Sequence, residues 1–325
     1  MTNFVKLALE NGGTIKPLLV SSQDISWPSL TNPSVLVVDG RIIVNIRNVS
    51  YTLYHSELNK FEHTWGPLVY IHPENDLHLR TENHIVELNQ NLDEIYHTKI
   101  DTSQFDTYEP QWEFVGLEDC RLVRWKNKIY VCGVRRDLDT IGTGRMELSE
   151  LEFKDSKVTE ISRYRIPGPL PDNEYCMKNC TPIDNKPFHL LKWTNPTSIM
   201  KFDPNGKETE VYQTNEYTPM TNDMRGGSQV IEFNGGYLTL IHETELYNSE
   251  QGRKNATYRH RFIYWDNEFK TQKFSKLFSF LNVKVEFCCG LAEYQNDLLL
   301  TFGVQDNAAY ILKVSKSFVE EFINE

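Results

Sequence analysis

The chain has 325 residues, 39% of them hydrophobic and 12% aromatic, enough apolar matter for one large packed domain and too much for a disordered chain. Its net charge of −11 argues against a nucleic-acid backbone or an anionic membrane as the main partner, since either favours a basic face. No apolar run reaches a membrane span, and the opening "MTNFVKLALENGG" has one lysine and no small-residue cleavage site, so the expected setting is soluble and cytoplasmic.

In chain order, period-two apolar runs broken by Gly, Asn and Asp predict many short strands and little helix. "TIKPLLV", residues 14–20, is the first. A loose repeat follows, in which a polar lead-in precedes an apolar strand, a turn and a second apolar strand. Its copies are "TNPSVLVVDGRIIVNIR" from Thr31, "GLEDCRLVRWKNKIYVCGVRR" from Gly116, "KNCTPIDNKPFHLLKW" from Lys178, "RGGSQVIEFNGGYLTLIHE" from Arg225 and "EFCCGLAEYQNDLLLTFG" from Glu286. A second hairpin follows each of the first four copies, so most units make a four-stranded sheet. Radial repetition of such sheets protects their edges.

The expected fold is therefore an all-β, five-bladed β-propeller in a single domain over residues 1–325. Its blades fall near residues 31–105, 116–167, 178–215, 225–280 and 285–314. The fifth unit lacks an outer strand, and residues 14–20 are expected to supply it and close the ring. "SKSFVEEFINE" predicts a short C-terminal helix capped by Ser317, with Glu320 three residues on. A two-sheet sandwich is the competing architecture. The long insertion from Tyr54 to Thr81 is of a size that lines sites or partner surfaces.

Six cysteines without a signal peptide read as free thiols, and Cys176 with Cys180 lacks the second pair that a zinc site needs. "DLD" at 137–139 could hold a metal in a βα enzyme, but that alternation is missing here. No cofactor or metal is expected.

The lead-ins of a propeller converge at one mouth, and here they hold Asn32, Glu118 with Asp119, Lys178 with Asn179, Arg225 and Glu286. The second strands end in Arg47, in Arg135 and Arg136, in His242 with Glu243, and in Asp306 shortly after the fifth. "YRHRF", residues 258–262, adds Arg259 and His260. So many cations at equivalent positions of an acidic chain suggest an anion site, phosphate above all. On a regular strand Asp119 shares a face with Arg121, which would keep it ionised and suit it to act as a base.

These residues bring a family into view. The chain resembles the five-bladed propeller enzymes that break or make β-mannosidic bonds, the inverting β-mannoside phosphorylases with their hydrolase and mannosyltransferase relatives. The motifs are "NPSV…IR", "GLEDCRL", "MKNCTPI", "RGGS" and "FGVQDNAAYI", in the family's order over nearly the whole chain. The resemblance implies Asp119 as the catalytic carboxylate, Asn32 and Arg47 holding sugar or phosphate, and Lys178 and Asn179 reaching into the centre. It also implies Arg225 on the anion and Asp306 on a sugar hydroxyl. Cys120 stands where the family usually has proline.

The expected activity is inverting glycosyl transfer between a glycan or sugar acceptor and a phosphate-bearing sugar donor or inorganic phosphate. Transfer from a sugar nucleotide or sugar phosphate ranks first and phosphorolysis second. Hydrolysis, with Glu286, Glu243 or Asp306 as second carboxylate, ranks third, ahead of a catalytically silent glycan-binding propeller.

Overall fold

A computed structural model describes residues 2–21, 25–55, 68–169, 174–205, 208–219, 223–248 and 254–325. The structure is all-β with a short helix near each end. Each repeat copy opens an antiparallel run. The first run is Ser29–Val38, Arg41–Val49, Leu79–Leu88 and Glu94–Asp101. The second is Glu118–Trp125, Lys128–Arg135, Arg145–Lys154 and Lys157–Arg165. A short parallel pairing, Val158 with Ile100 and Thr159 with Asp101, fuses these two into a nine-stranded sheet.

The third run is Thr181–Pro182, His189–Thr194, Thr197–Phe202 and Thr209–Gln213. The fourth is built on the long hairpin of Gly236–Asn248 with Lys254–Trp265. The fifth runs Glu286–Tyr294, Asp297–Val304 and Ala308–Ser315, and its outer strand is the N-terminal Thr14–Pro17. Regular pairing stops at Pro17, which has no N–H to give, and sits where a proline is tolerated, on an outer edge. Leu18 adds one more bond, donating to the Ala309 carbonyl at 2.8 Å.

Inner strands are covered on both faces, so they read as continuous apolar runs instead of alternating ones. "LLLTF" at 298–302 is buried at every position. The cores lie between successive runs. Val38 and Ile85 pack with Leu122 and Val131 between the first two, and Trp125 and Met146 with Leu190 and Met200 between the second and third. Leu191 and Ile199 meet Ile241 and Trp265 between the third and fourth, and Leu240 and Phe262 meet Leu300 and Phe302 between the fourth and fifth. A last cluster packs Leu299 and Ile311 of the fifth against Val44 and Val86 of the first.

The C-terminal helix spans Lys316–Asn324, and its cap is Ser315, not Ser317: the Ser315 side chain accepts from the Phe318 N–H at 3.2 Å. A second helix, Phe4–Glu10, was not foreseen. It brings Phe4 into ring contact with Phe278 at 4.5 Å and Phe322 at 5.1 Å, so the two ends of the chain meet in one aromatic cluster. Within the expected insertion, Thr52–His55 pairs with Leu68–Ile71, while residues 56–67 lie outside the described residues. No described helix is long and apolar enough to cross a membrane.

Candidate active site

The inner strands break register where the repeat places its polar lead-ins: between Thr31 and Ser34, between Glu118 and Arg121, and between Cys288 and Gly290. Asn32, Asp119 and Asn179, which hold the same place in their copies, have φ of 41°, 52° and 61°. Asn and Asp enter this left-handed region more readily than other non-glycine residues. A bulge lifts such a residue out of strand alternation and re-aims its side chain.

That overturns the expectation pairing Asp119 with Arg121. With the bulge between them the alternation fails, and Asp119 Oδ1 instead accepts from Arg47 Nη1 and from Asn32 Nδ2, both at 2.9 Å. Arg121 is fully buried beneath the site. It holds backbone, donating from Nη1 to the Asp119 carbonyl at 2.5 Å and from Nε to the Gly227 carbonyl at 2.9 Å, with its guanidinium 5.6 Å from the centre of the Phe287 ring. It acts as a floor that ties three runs together.

Above that floor lies a cavity of about 140 Å³ to which all five runs contribute. Asn32 and Arg47 come from the first, Glu118 and Asp119 from the second, and Lys178 with Asn179 from the lead-in of the third. His242 and Tyr258 come from the fourth, Phe287 and Asp306 from the fifth. Arg47, 2% exposed, also donates from Nη2 to the Tyr51 hydroxyl at 2.6 Å and reaches Glu118 Oε2 at 3.5 Å. Asn32 Nδ2 spans Asp119 Oδ1 at 2.9 Å and Asp306 Oδ1 at 3.3 Å.

The three carboxyls differ. Burial alone would raise the pKa of Asp119, but Arg47, then Arg121, the Asn32 amide and Lys178 outweigh it and hold this group below the usual carboxylate range. Glu118 is pushed upward by burial and by the charge of Asp119, against the pull of Arg47. Asp306 is also raised, by burial and by Asp119. His242 is pressed well below the ordinary histidine value by burial, then by His260 and Arg225, so it stands neutral.

Other predicted site residues lie elsewhere. Glu286 is buried and accepts the backbone N–H groups of Phe280, Leu281 and Val283 at 2.6 to 2.9 Å, which fixes a loop. Glu243 pairs with Arg261 at 2.8 Å. His260 is wholly buried against Phe280 and Phe278, and Arg259 does not line the cavity. Arg135 is locked to Glu147 at 2.8 Å and to the Tyr108 hydroxyl at 2.7 Å, on a separate cavity between the first two runs. Arg136 is enclosed by the rings of Trp112, Phe114 and Tyr175. Arg225 lines a larger cavity, and Lys178 and Asn179 line both that one and the central one.

In "DLD", Asp137 accepts from the Gly116 N–H at 2.9 Å and Asp139 from the N–H groups of Ile141 and Thr143. Sequence reading missed the cavity's aromatic members Tyr51, Phe114, Tyr258 and Phe287. Tyr258 was within reach, since it lies two residues before His260 in a stretch already singled out and shares its strand face.

No family model matches the chain, and no curated protein matches it. Solved structures do. A β-1,2-mannobiose phosphorylase from Listeria innocua aligns with a TM-score of 0.54 at 13% identity, covering 95% of this chain and 96% of that one. MPT-4, a mannose phosphorylase from Leishmania mexicana in complex with phosphate ion, gives a TM-score of 0.53 at 12% identity and covers 98% and 93%. A third structure belongs to work on the GH130 family of mannoside phosphorylases, described as containing glycoside hydrolases that target β-1,2-mannosidic linkages in Candida mannan. It gives a TM-score of 0.55 at 12% identity, with 92% and 91% covered. These neighbours are of the kind that the sequence resemblance named, and at such identities what they share with this chain is its fold.

Proposed function

We propose that the chain is an inverting glycoside phosphorylase acting on β-mannosides, built on a five-bladed β-propeller whose central cavity is the active site. The cycle of cores, in which the fifth run packs on the first, supports the blade count. The observation that carries phosphorolysis is the fate of the second carboxylate that hydrolysis requires. Glu286 and Glu243 are committed to a loop and to Arg261, and Glu118 is held beside Asp119 by the same Arg47 guanidinium. Asp306 shares one amide nitrogen with Asp119, which brings these oxygens closer than the roughly 6.5–9.5 Å that inverting hydrolases leave for water. Cations are better supplied: Arg47 and Lys178 line the cavity, and Arg225 stands in the adjoining one.

A phosphate oxygen then attacks the anomeric carbon on the face opposite the departing group. The glycosidic C–O bond breaks toward that group's oxygen, which takes a proton from Asp119. Arg47 first, then Arg121 and Lys178, favour the ionised form of Asp119; the negative charge of a phosphate beside Lys178 opposes them, so Asp119 takes up its proton from solvent as the anion binds. Run backwards, Asp119 is the base for the acceptor hydroxyl. The expectation that ranked transfer from a sugar nucleotide first gives way to its alternative, because the named structural neighbours are phosphorylases and hydrolases. Asp119→Asn is expected to lower the phosphorolysis rate on β-mannobiose by about 10²–10⁴-fold while the protein remains folded. A variant that turns over at the wild-type rate removes Asp119 from the chemistry.

A further inference from the structure

The larger neighbouring cavity measures about 540 Å³, against about 140 Å³ for the central one, and Lys178 and Asn179 line both. Small-molecule pockets usually measure roughly 300–1,000 Å³. The central space falls below that range and suits little more than one sugar ring with its anion, while the second falls inside it.

A wall of this second cavity is the strand His189–Thr194, whose register slips between Leu191 and Trp193. Bulges re-aim side chains beside sites, and this one leaves Trp193 38% exposed on the cavity. The indole Nε1 donates to the Asn195 carbonyl at 3.0 Å, so the polar edge is satisfied and held. What remains on offer is a fixed carbon face, the surface on which the C–H face of a pyranose stacks. Lys192, in an ion pair with Glu174, stands beside it with Ser198 and Arg225, a sparse set of polar groups suited to hydroxyls.

We propose that this cavity is a glycan-binding groove holding the further units of an oligosaccharide, with Trp193 as the stacking platform and Lys178 and Asn179 at the passage from the catalytic cavity. The preferred substrate is then an oligosaccharide, with a disaccharide a shorter and more weakly held one. The inference rests on the reading of the central cavity as the bond-cleaving site.

The test measures binding of β-linked mannobiose and mannotetraose to Asp119→Asn by calorimetry, alone and combined with Trp193→Ala or Trp193→Phe. Initial rates of the unmodified protein on both sugars, with and without phosphate, accompany it. The tetraose is expected to bind at least about tenfold more tightly than the biose, an advantage that Trp193→Ala removes and Trp193→Phe partly keeps. Equal affinity for the two lengths, or an advantage that survives Trp193→Ala, overturns the groove. Phosphate-dependent turnover that ignores length would sink the groove and leave the phosphorylase standing. A Trp193-dependent advantage with phosphate-independent turnover would do the reverse.

Discussion

Asp119 is set by its backbone before its chemistry. An aspartate in the left-handed region at a bulge loses the neighbour that strand alternation predicts, Arg121, and gains Arg47 from the adjacent run. The residue types were legible in "GLEDCRL", whereas the partner was not, because a bulge changes facing without changing composition. The same limit separates His242 from His260. The two stand opposite each other across the long hairpin, and only the first lines the cavity.

His260 offers a test of the bland alternative for such residues. Neither ring nitrogen has a partner among the described residues, and burial presses its pKa to about 3. The unfolded chain binds a proton as pH falls through the usual histidine value, near 6.5, while the fold refuses it until about 3. Stability is therefore complete above 6.5 and declines through that window, by up to about 1.4 kcal/mol per pH unit. His260→Phe is expected to flatten this acid limb in pH-dependent denaturant melts and to leave stability at neutral pH unchanged or higher. An acid limb as steep as before would show that the ring takes its proton within the fold.

At the scale of elements, turn-broken apolar runs located the strands well, and the repeat found the outer partner of the fifth run in the N-terminal segment. Caps were less legible. "VSKSFVEEF" offers two serines two residues apart, and hydrogen-bond geometry selects Ser315. Ser315→Ala should cost about 1 kcal/mol in chemical denaturation and Ser317→Ala much less; the opposite order would restore Ser317 as the cap. The helix Phe4–Glu10 escaped notice for a different reason. Two turns of helix are marginal on their own, and this one exists because Phe4 is buried among rings from residues 262–322. Such tertiary support leaves no local signature.

For the whole molecule, the lead-ins of a sequence repeat gather at one cavity, and that convergence was the most informative thing the sequence offered. It brought Asn32, Arg47, Glu118, Asp119, Lys178, Asn179, His242 and Asp306 together. It overreached where equivalent positions are buried away from the cavity in an ion pair or brace a loop, as Glu243 and Glu286 do, because repeat equivalence fixes a place on a strand and says nothing about what packs beside it. The choice among transfer, phosphorolysis and hydrolysis belongs to this scale too, since it turns on how carboxylates from separate runs are spaced. The decisive measurement follows β-mannobiose turnover by phosphorus and proton NMR, with and without inorganic phosphate. A phosphorylase yields an inverted α-linked sugar 1-phosphate only when phosphate is present. Free mannose released at the same rate without phosphate would mean that water is the nucleophile and contradict the proposed mechanism.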